Sequence, residues 1–134
     1  MSTENVEIVR RMIETFNTGG IEAAVEFLDP EVEFHEPPEQ PAPRVAHGAC
    51  ETREMFAAFD AAWEEHRSEP EEIRSLGGDD VLVLSIERFR GRDGIEVAQR
   101  AGTIVSLRDG RLFRWRAFWD QETALAAAAS DAGA

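Results

Sequence analysis

The feature that most limits the fold is a change of hydrophobic period in the second half of the chain. From Glu69 to Trp119 the segments "PEEIRSL", "DVLVLSIERFR", "GIEVAQRAGTIVSLR" and "RLFRWRAFW" read as strands, whose side chains point alternately to opposite faces. The separators "GGDD", "GRDG" and "RDGR" carry the Asp and Gly residues that tight hairpin turns need, because such turns place backbone at positive φ. Long strands joined by tight turns pair with their chain neighbours, so this half is predicted to be an antiparallel meander.

The first half has the other period. Val6, Val9, Met12, Ile13 and Phe16 recur at spacings of three and four, one face of an amphipathic helix that Ser2 or Thr3 can cap. "NTGG" at Asn17 to Gly20 ends it, and "IEAAVEFLDP" reads as a short second helix closed by Asp29-Pro30. "EVEFHE" then alternates strictly, so Val32, Phe34 and Glu36 share one face while Glu33 and His35 share the other, and Pro37-Pro38 stop the strand. A further helix is predicted over about Glu51 to Glu65, with an apolar stripe of Met55, Phe56, Phe59, Ala62 and Trp63. The tail "DQETALAAAASDAGA" reads as helical at first and frayed over 128–134. This layout predicts an α+β fold: a curved antiparallel sheet forming a cone, packed by three helices from the N-terminal half. The 134 residues are expected to form a single domain, 1–134, with its ordered core over about 4–127.

Charge and residue usage exclude several functions. A net charge of −13 argues against nucleic acid and anionic membranes as partners, since both need a basic surface. The imbalance is local: residues 1–80 hold 6 Arg against 20 acids, and residues 81–134 hold 8 Arg against 7 acids. All 14 basic residues are arginine and there is no tyrosine, which removes Schiff-base chemistry and tyrosine acid catalysis. Cys50 stands alone, excluding an internal disulfide and thiolate metal motifs. "MSTENVEIVRR" lacks a basic start and an apolar signal core, and no apolar run approaches the roughly 18 residues a membrane helix needs, so a cytoplasmic location is expected. No cofactor is implied. No metal is expected either, because ligands from "E-x-H-E" would leave opposite sides of one strand.

Two stretches carry a family resemblance. "IVRRMIETFNTGGIEAAVEFLDPEVEFHEP" at the front and "DGRLFRWRAFWDQETALAA" at the back resemble the nuclear-transport-factor-2-like superfamily, and within it the SnoaL-like and ketosteroid-isomerase-like small proteins, over roughly Glu4 to Ala127. The resemblance implies an open-ended cone around an apolar pocket, often in a homodimer formed through the outer sheet face. It specifies activity weakly, because one fold hosts many chemistries. In the steroid isomerases a general-base Asp precedes a Pro at the end of the first strand, and Glu36 before Pro37 matches it. The helix tyrosine of that pattern falls at Met12 and its second oxyanion donor near Arg100 to Gly102, so both donors are missing. Each lost donor typically costs about 10²–10³ in rate, which disfavours that isomerisation. The limonene-epoxide-hydrolase Asp-Arg-Asp pattern keeps its arginine at Arg88 but has Arg90 and Ala117 at the acids. For the polyketide-cyclase branch, Asp120 lies nearby but at a strand-to-helix junction, where an N-cap role is favoured.

The candidate site follows from these faces. Glu36, on the apolar face of its strand, is the candidate proton-transferring carboxylate. Arg88 and Arg90 share a face with Leu82, Leu84 and Ile86, and are candidate catalytic donors to a substrate oxygen if that face lines the pocket. Of Gln99 and Arg100 only one can point inward; the pattern leaves the choice open, and Arg100 is counted among the pocket candidates. The others are Met12 and Phe16 on the first helix, Phe34 on the first strand, Phe56, Phe59 and Trp63 on the later helix, and Trp115, Ala117 and Trp119 on the last strand. Ala117 between two tryptophans leaves room in the wall. Two readings remain: an isomerase or cyclase moving a proton on an apolar, carbonyl-containing small molecule, and a non-catalytic ligand-binding or dimeric interaction module.

Overall fold

A computed structural model describes residues 2–133, with side chains over 3–130. The first helix, α1 (Ser2–Ala24), buries Val9, Met12, Ile13 and Phe16 along the predicted stripe. It does not stop at Asn17. The chain kinks at Gly20 (φ 70°, ψ −167°), a backbone state open to glycine, and the expected second helix is the continuation beyond the kink, which buries Ile21 and Ala24 and closes in a 3-10 turn, Val25–Phe27.

The first strand, β1 (Leu28–His35), is followed by a short strand absent from the sequence reading, β2 (Val45–His47), which pairs antiparallel to it through Phe34 opposite Ala46. The next helix, α2 (Gly48–Asp60), ends five residues before the predicted Glu65, because the chain from Glu65 is already an edge strand, β3 (Glu65–Gly77). The meander continues as β4 (Asp80–Arg90), β5 (Glu96–Arg108) and β6 (Arg111–Phe118), with hairpin turns at the Asp/Gly separators; Asp109 (φ 52°) and Gly110 (φ 79°) form the last. The last helix, α3 (Gln121–Gly133), takes in residues 128–133 of the stretch expected to fray, Ala134 lying outside the described residues, and buries Ala124 and Ala128. Asp120 caps it, its carboxylate accepting from the Thr123 N–H at 3.0 Å and the Thr123 hydroxyl at 2.9 Å.

The sheet has six strands in the order β2-β1-β6-β5-β4-β3 and does not close on itself. Every pairing is antiparallel except β1 with β6, which run parallel, so the sheet is mixed. Register shifts in β3 and at the start of β6 mark the bulges that strengthen its curl. On the concave side, packed by α1 and α2, lie Val83, Ser85, Glu87 and Phe89 of β4, opposite Thr103, Ala101, Gln99 and Val97 of β5. On the convex side Leu82, Leu84, Ile104 and Phe118 form a second apolar cluster with Ala124 and Ala128 of α3. Two helices therefore fill the cone and the third lies outside it, a division the sequence reading did not foresee. Among the described residues no helix is long and apolar enough to cross a membrane.

Candidate active site

The concave face encloses a space of about 160 Å³. Its walls are mostly aromatic: Phe34, Phe56 and Trp115 pack with ring centroids 4.8–5.2 Å apart, and Phe16 meets Phe56 edge-on at 6.2 Å. Phe59 and Trp119 approach at 6.0 Å on another part of the wall. Met12 and Ala117 complete the set of apolar sequence candidates that line it.

One charged cluster interrupts this apolar surface. His66, at the start of β3, has its side chain only 10% exposed and lies between two carboxylates, with Nδ1 3.0 Å from Asp60 Oδ1 and Nε2 2.8 Å from Glu87 Oε1. The other oxygen of Glu87 accepts hydrogen bonds from the Ser68 and Ser85 hydroxyls, each at 2.6 Å. Strand register sets this geometry. His66 is opposite Phe89 and Ser68 opposite Glu87, so four polar or aromatic side chains from two strands share the concave face. The His66 ring stacks on Phe89 at 4.4 Å and 30°, which suits a positively charged imidazole. Asn17 of α1 clamps the edge strand from behind: its amide NH₂ donates to the Ser68 carbonyl at 2.7 Å, and its carbonyl accepts from the Ser68 N–H at 2.8 Å.

The electrostatics follow from these contacts. Burial pushes the His66 pKa down, but the hydrogen bonds and charges of Asp60 and Glu87 outweigh it and raise the pKa to about 9. Burial pushes Glu87 up, and His66 with the two serines brings it below the usual carboxylate value. At neutral pH the wall thus carries an imidazolium held between two carboxylates. Glu87, Ser68, Ser85 and His66 line the cavity, and Asp60 stands behind the ring.

Glu36 also lines the cavity, at its rim. Its side chain is 12% exposed, and an arginine at the surface occupies both oxygens: Oε1 accepts from the Arg44 N–H at 2.8 Å and Nε at 3.2 Å, and Oε2 from Nη2 at 3.2 Å. Burial raises the Glu36 pKa, but these bonds lower it below the ordinary value, the opposite of what a base poised near neutrality needs. The bonds also close the loop between β1 and β2, which leans on Trp119 through Gln40, whose Oε1 is 3.4 Å from the indole Nε1.

Four sequence candidates stand elsewhere. Arg88 and Arg90 share the face of Leu82 and Leu84, as predicted, but that face is the convex one; Arg88 pairs with Glu69 at 2.8 Å and Arg90 with Glu64 and Glu65, both at 3.6 Å. Arg100 is opposite Ile86 on the same convex side and bonds Glu71 at 3.2 Å, so Gln99 holds the concave position. Trp63 lies past the end of α2 and stacks on Phe89 at 5.0 Å, without lining the cavity. The sequence reading missed His66, Glu87, Ser68, Ser85, Asp60 and Asn17. The available signal was the pair of polar residues Ser85 and Glu87 alternating inside the apolar run of β4.

The chain is thus an open α+β cone with a partly filled interior. The SnoaL-like domain model matches residues 9–115, and the chain belongs to that family, in agreement with the resemblance read from its motifs. Solved structures share the fold at low identity. A protein from Jannaschia sp. CCS1 described as a putative SnoaL-like polyketide cyclase is 20% identical, covering 94% of this chain and 92% of its own, with a TM-score of 0.74. The epoxide hydrolase/cyclase-like enzyme SalBIII of salinomycin pyran-ring formation is 22% identical, covering 90% and 93%, at 0.75. An LEH-like epoxide hydrolase from M. tuberculosis is 14% identical, covering 96% and 92%, at 0.73. Among curated protein sequences none matches.

Proposed function

We propose that this protein is an isomerase- or cyclase-type enzyme that transfers a proton to an oxygen of an apolar small molecule, a carbonyl or an epoxide, bound in the cone. One observation carries the reading: a histidine ring held within hydrogen-bond distance of two acidic side chains on the wall of an aromatic cavity. A buried charge cluster is costly to a fold, and perturbed titratable groups in a cleft mark candidate functional sites.

The roles follow from position. A ligand oxygen entering the cavity meets the Nε2 edge of His66, beside Glu87, and shares the Nε2–H with that carboxylate. As charge develops the N–H bond breaks and an O–H bond forms, leaving neutral imidazole with its Nδ1–H on Asp60. Asp60 is thus a positioning residue that fixes the ring and its tautomer. Glu87, held ionised by Ser68 and Ser85, remains as counter-charge to the protonated ligand. The cyclase and epoxide hydrolase names among the structural neighbours are compatible with this chemistry, though their identities of 14–22% extend only to fold.

The test is a panel of apolar ketones and epoxides incubated with the protein and read by NMR for ring opening or cyclisation. Catalysis by the wild type, absent in His66→Asn and declining as pH rises through about 9, supports the reading. Turnover that survives His66→Asn sinks it. A second reading, ligand binding without turnover, is favoured by the saturated hydrogen bonding of Glu36 and Glu87, neither of which is a ready base. Its signature is binding of panel members with no turnover.

A further inference from the structure

The charge of the cavity wall narrows the ligand class. We propose that the site selects apolar ligands carrying a positive, ammonium-like centre over their neutral isosteres and rejects the carboxylate isosteres. The inference rests on reading the cavity as a ligand site, and not on turnover.

Three observations converge. First, the charged residues that line the space are Glu36, Glu87 and His66; among the described lining residues there is no arginine or lysine. Arg44, its side chain 70% exposed, neutralises Glu36 from outside, which leaves His66 with Glu87 and the Asp60 behind it. One imidazolium between two carboxylates is net negative, and a neutral imidazole there would be more so. The sign therefore holds in either protonation state of His66. Second, the uncharged wall is rich in aromatic rings, including Phe16, Phe34, Phe56 and Trp115, and a cation seated over the face of such a ring is attracted by its quadrupole where an anion is repelled. Third, the hydroxyls of Ser68 and Ser85 already donate to Glu87, so neither of them is free to receive a carboxylate.

Selectivity for a cation also matches the proton transfer. When His66 gives up its proton, the ligand gains the positive charge and the cluster becomes more negative by the same amount. A stable ammonium compound then mimics the protonated ligand, the species such a site should hold most tightly.

Size sets the probes. A cavity near ~150 Å³ accommodates benzene, so benzylammonium, benzyl alcohol and benzoate are suitable isosteres for the 160 Å³ space. Affinities are measured by calorimetry on the full chain at pH 7 and about 0.15 M salt, where long-range attraction to an acidic surface is screened. Benzylammonium should bind about tenfold more tightly than benzyl alcohol, equivalent to about 1.4 kcal/mol, within reach of one desolvated cation–π contact. Benzoate should be weakest. Ala117→Phe, which fills the cavity, should abolish binding of the ammonium probe, and Glu87→Gln should reduce its preference over the alcohol. If benzyl alcohol or benzoate binds as tightly as benzylammonium, the charge inference fails while the cavity remains a ligand site. If no probe binds, or Ala117→Phe leaves ammonium binding unchanged, the cavity reading fails with it.

Discussion

Raising the pH should remove a definite amount of stability, because one buried group binds a proton more tightly in the folded chain than in the unfolded one. An unfolded histidine titrates near 6.5, and His66 is raised to about 9 by Asp60 and Glu87 against the opposing effect of burial. A folded-state pKa above the unfolded value means that the native state holds the extra proton between those limits. The stabilisation is therefore complete below about 6.5, declines by about 1.4 kcal/mol per pH unit, and is gone above about 9. Over that window the loss is about 3 kcal/mol, and with the side chain only 10% exposed, solvent screening takes little from it. For a chain of 134 residues this corresponds to a fall in Tm of about 10 °C. Urea denaturation at intervals from pH 6 to 10 measures the slope directly, and His66→Gln, which cannot titrate there, should give a flatter profile from a lower starting stability. Unchanged wild-type stability across the window, or an NMR titration placing His66 at or below 6.5, refutes the reasoning.

Three further perturbations test particular contacts. Asn17→Ala removes both side-chain hydrogen bonds to the Ser68 backbone, so chemical denaturation should show a loss of about 1–3 kcal/mol, and NMR a lower His66 pKa as Ser68 and Glu87 lose their alignment. Gly102→Ala puts a Cβ 2.6 Å from the Ala124 Cβ; α3 must shift off the convex face, which should cost about 1–3 kcal/mol in Tm-derived stability and speed proteolysis of the tail. Arg88→Ala and Arg90→Ala break surface ion pairs on the far side of the sheet, so stability should change by less than about 0.5 kcal/mol and calorimetric affinity for any cavity ligand by less than about twofold.

The meander was legible because strand period and turn chemistry are local properties, and "GGDD", "GRDG" and "RDGR" all lie at hairpin turns of the structure. The inward face of β4 was not. Its run "DVLVLSIERFR" is apolar on both sides near its start: Val81 and Val83 face the cone, while Leu82 and Leu84 lie beneath α3. Alternation tells which residues share a face but not which face a distant helix will cover, and the Ala-rich tail gave no hint that it would cover the convex one. Arg88 and Arg90 were counted as candidates on the condition that their face lines the pocket, and the choice between Gln99 and Arg100 stayed open, for that reason. Phe34, Trp115 and Ala117 lie on the cavity wall through the pairing of β1, β6 and β5. His66 was overlooked because "WEEHRSEP" reads as an acidic turn after a helix; β3 is an edge strand, and its polarity reflects solvent on its outer side.

The charged cluster is hard to account for by stability alone. Replacing a buried ion pair by well-packed apolar residues is often neutral or stabilising by about 1–4 kcal/mol, so a fold selected only to persist would place leucine or phenylalanine at His66 and Glu87. The neighbouring walls show that the cone accepts such residues, since Phe16 and Phe89 already pack against the His66 ring at 5.0 and 4.4 Å. The cluster is instead supported on every side: Asp60 from the end of α2, Ser68 and Ser85 from two strands, and Asn17 from α1 holding the strand that carries His66. Elements from four parts of the chain converge to keep one imidazole charged and one carboxylate ionised beside an aromatic cavity. That convergence favours a cavity whose electrostatics serve a ligand over one left by imperfect packing.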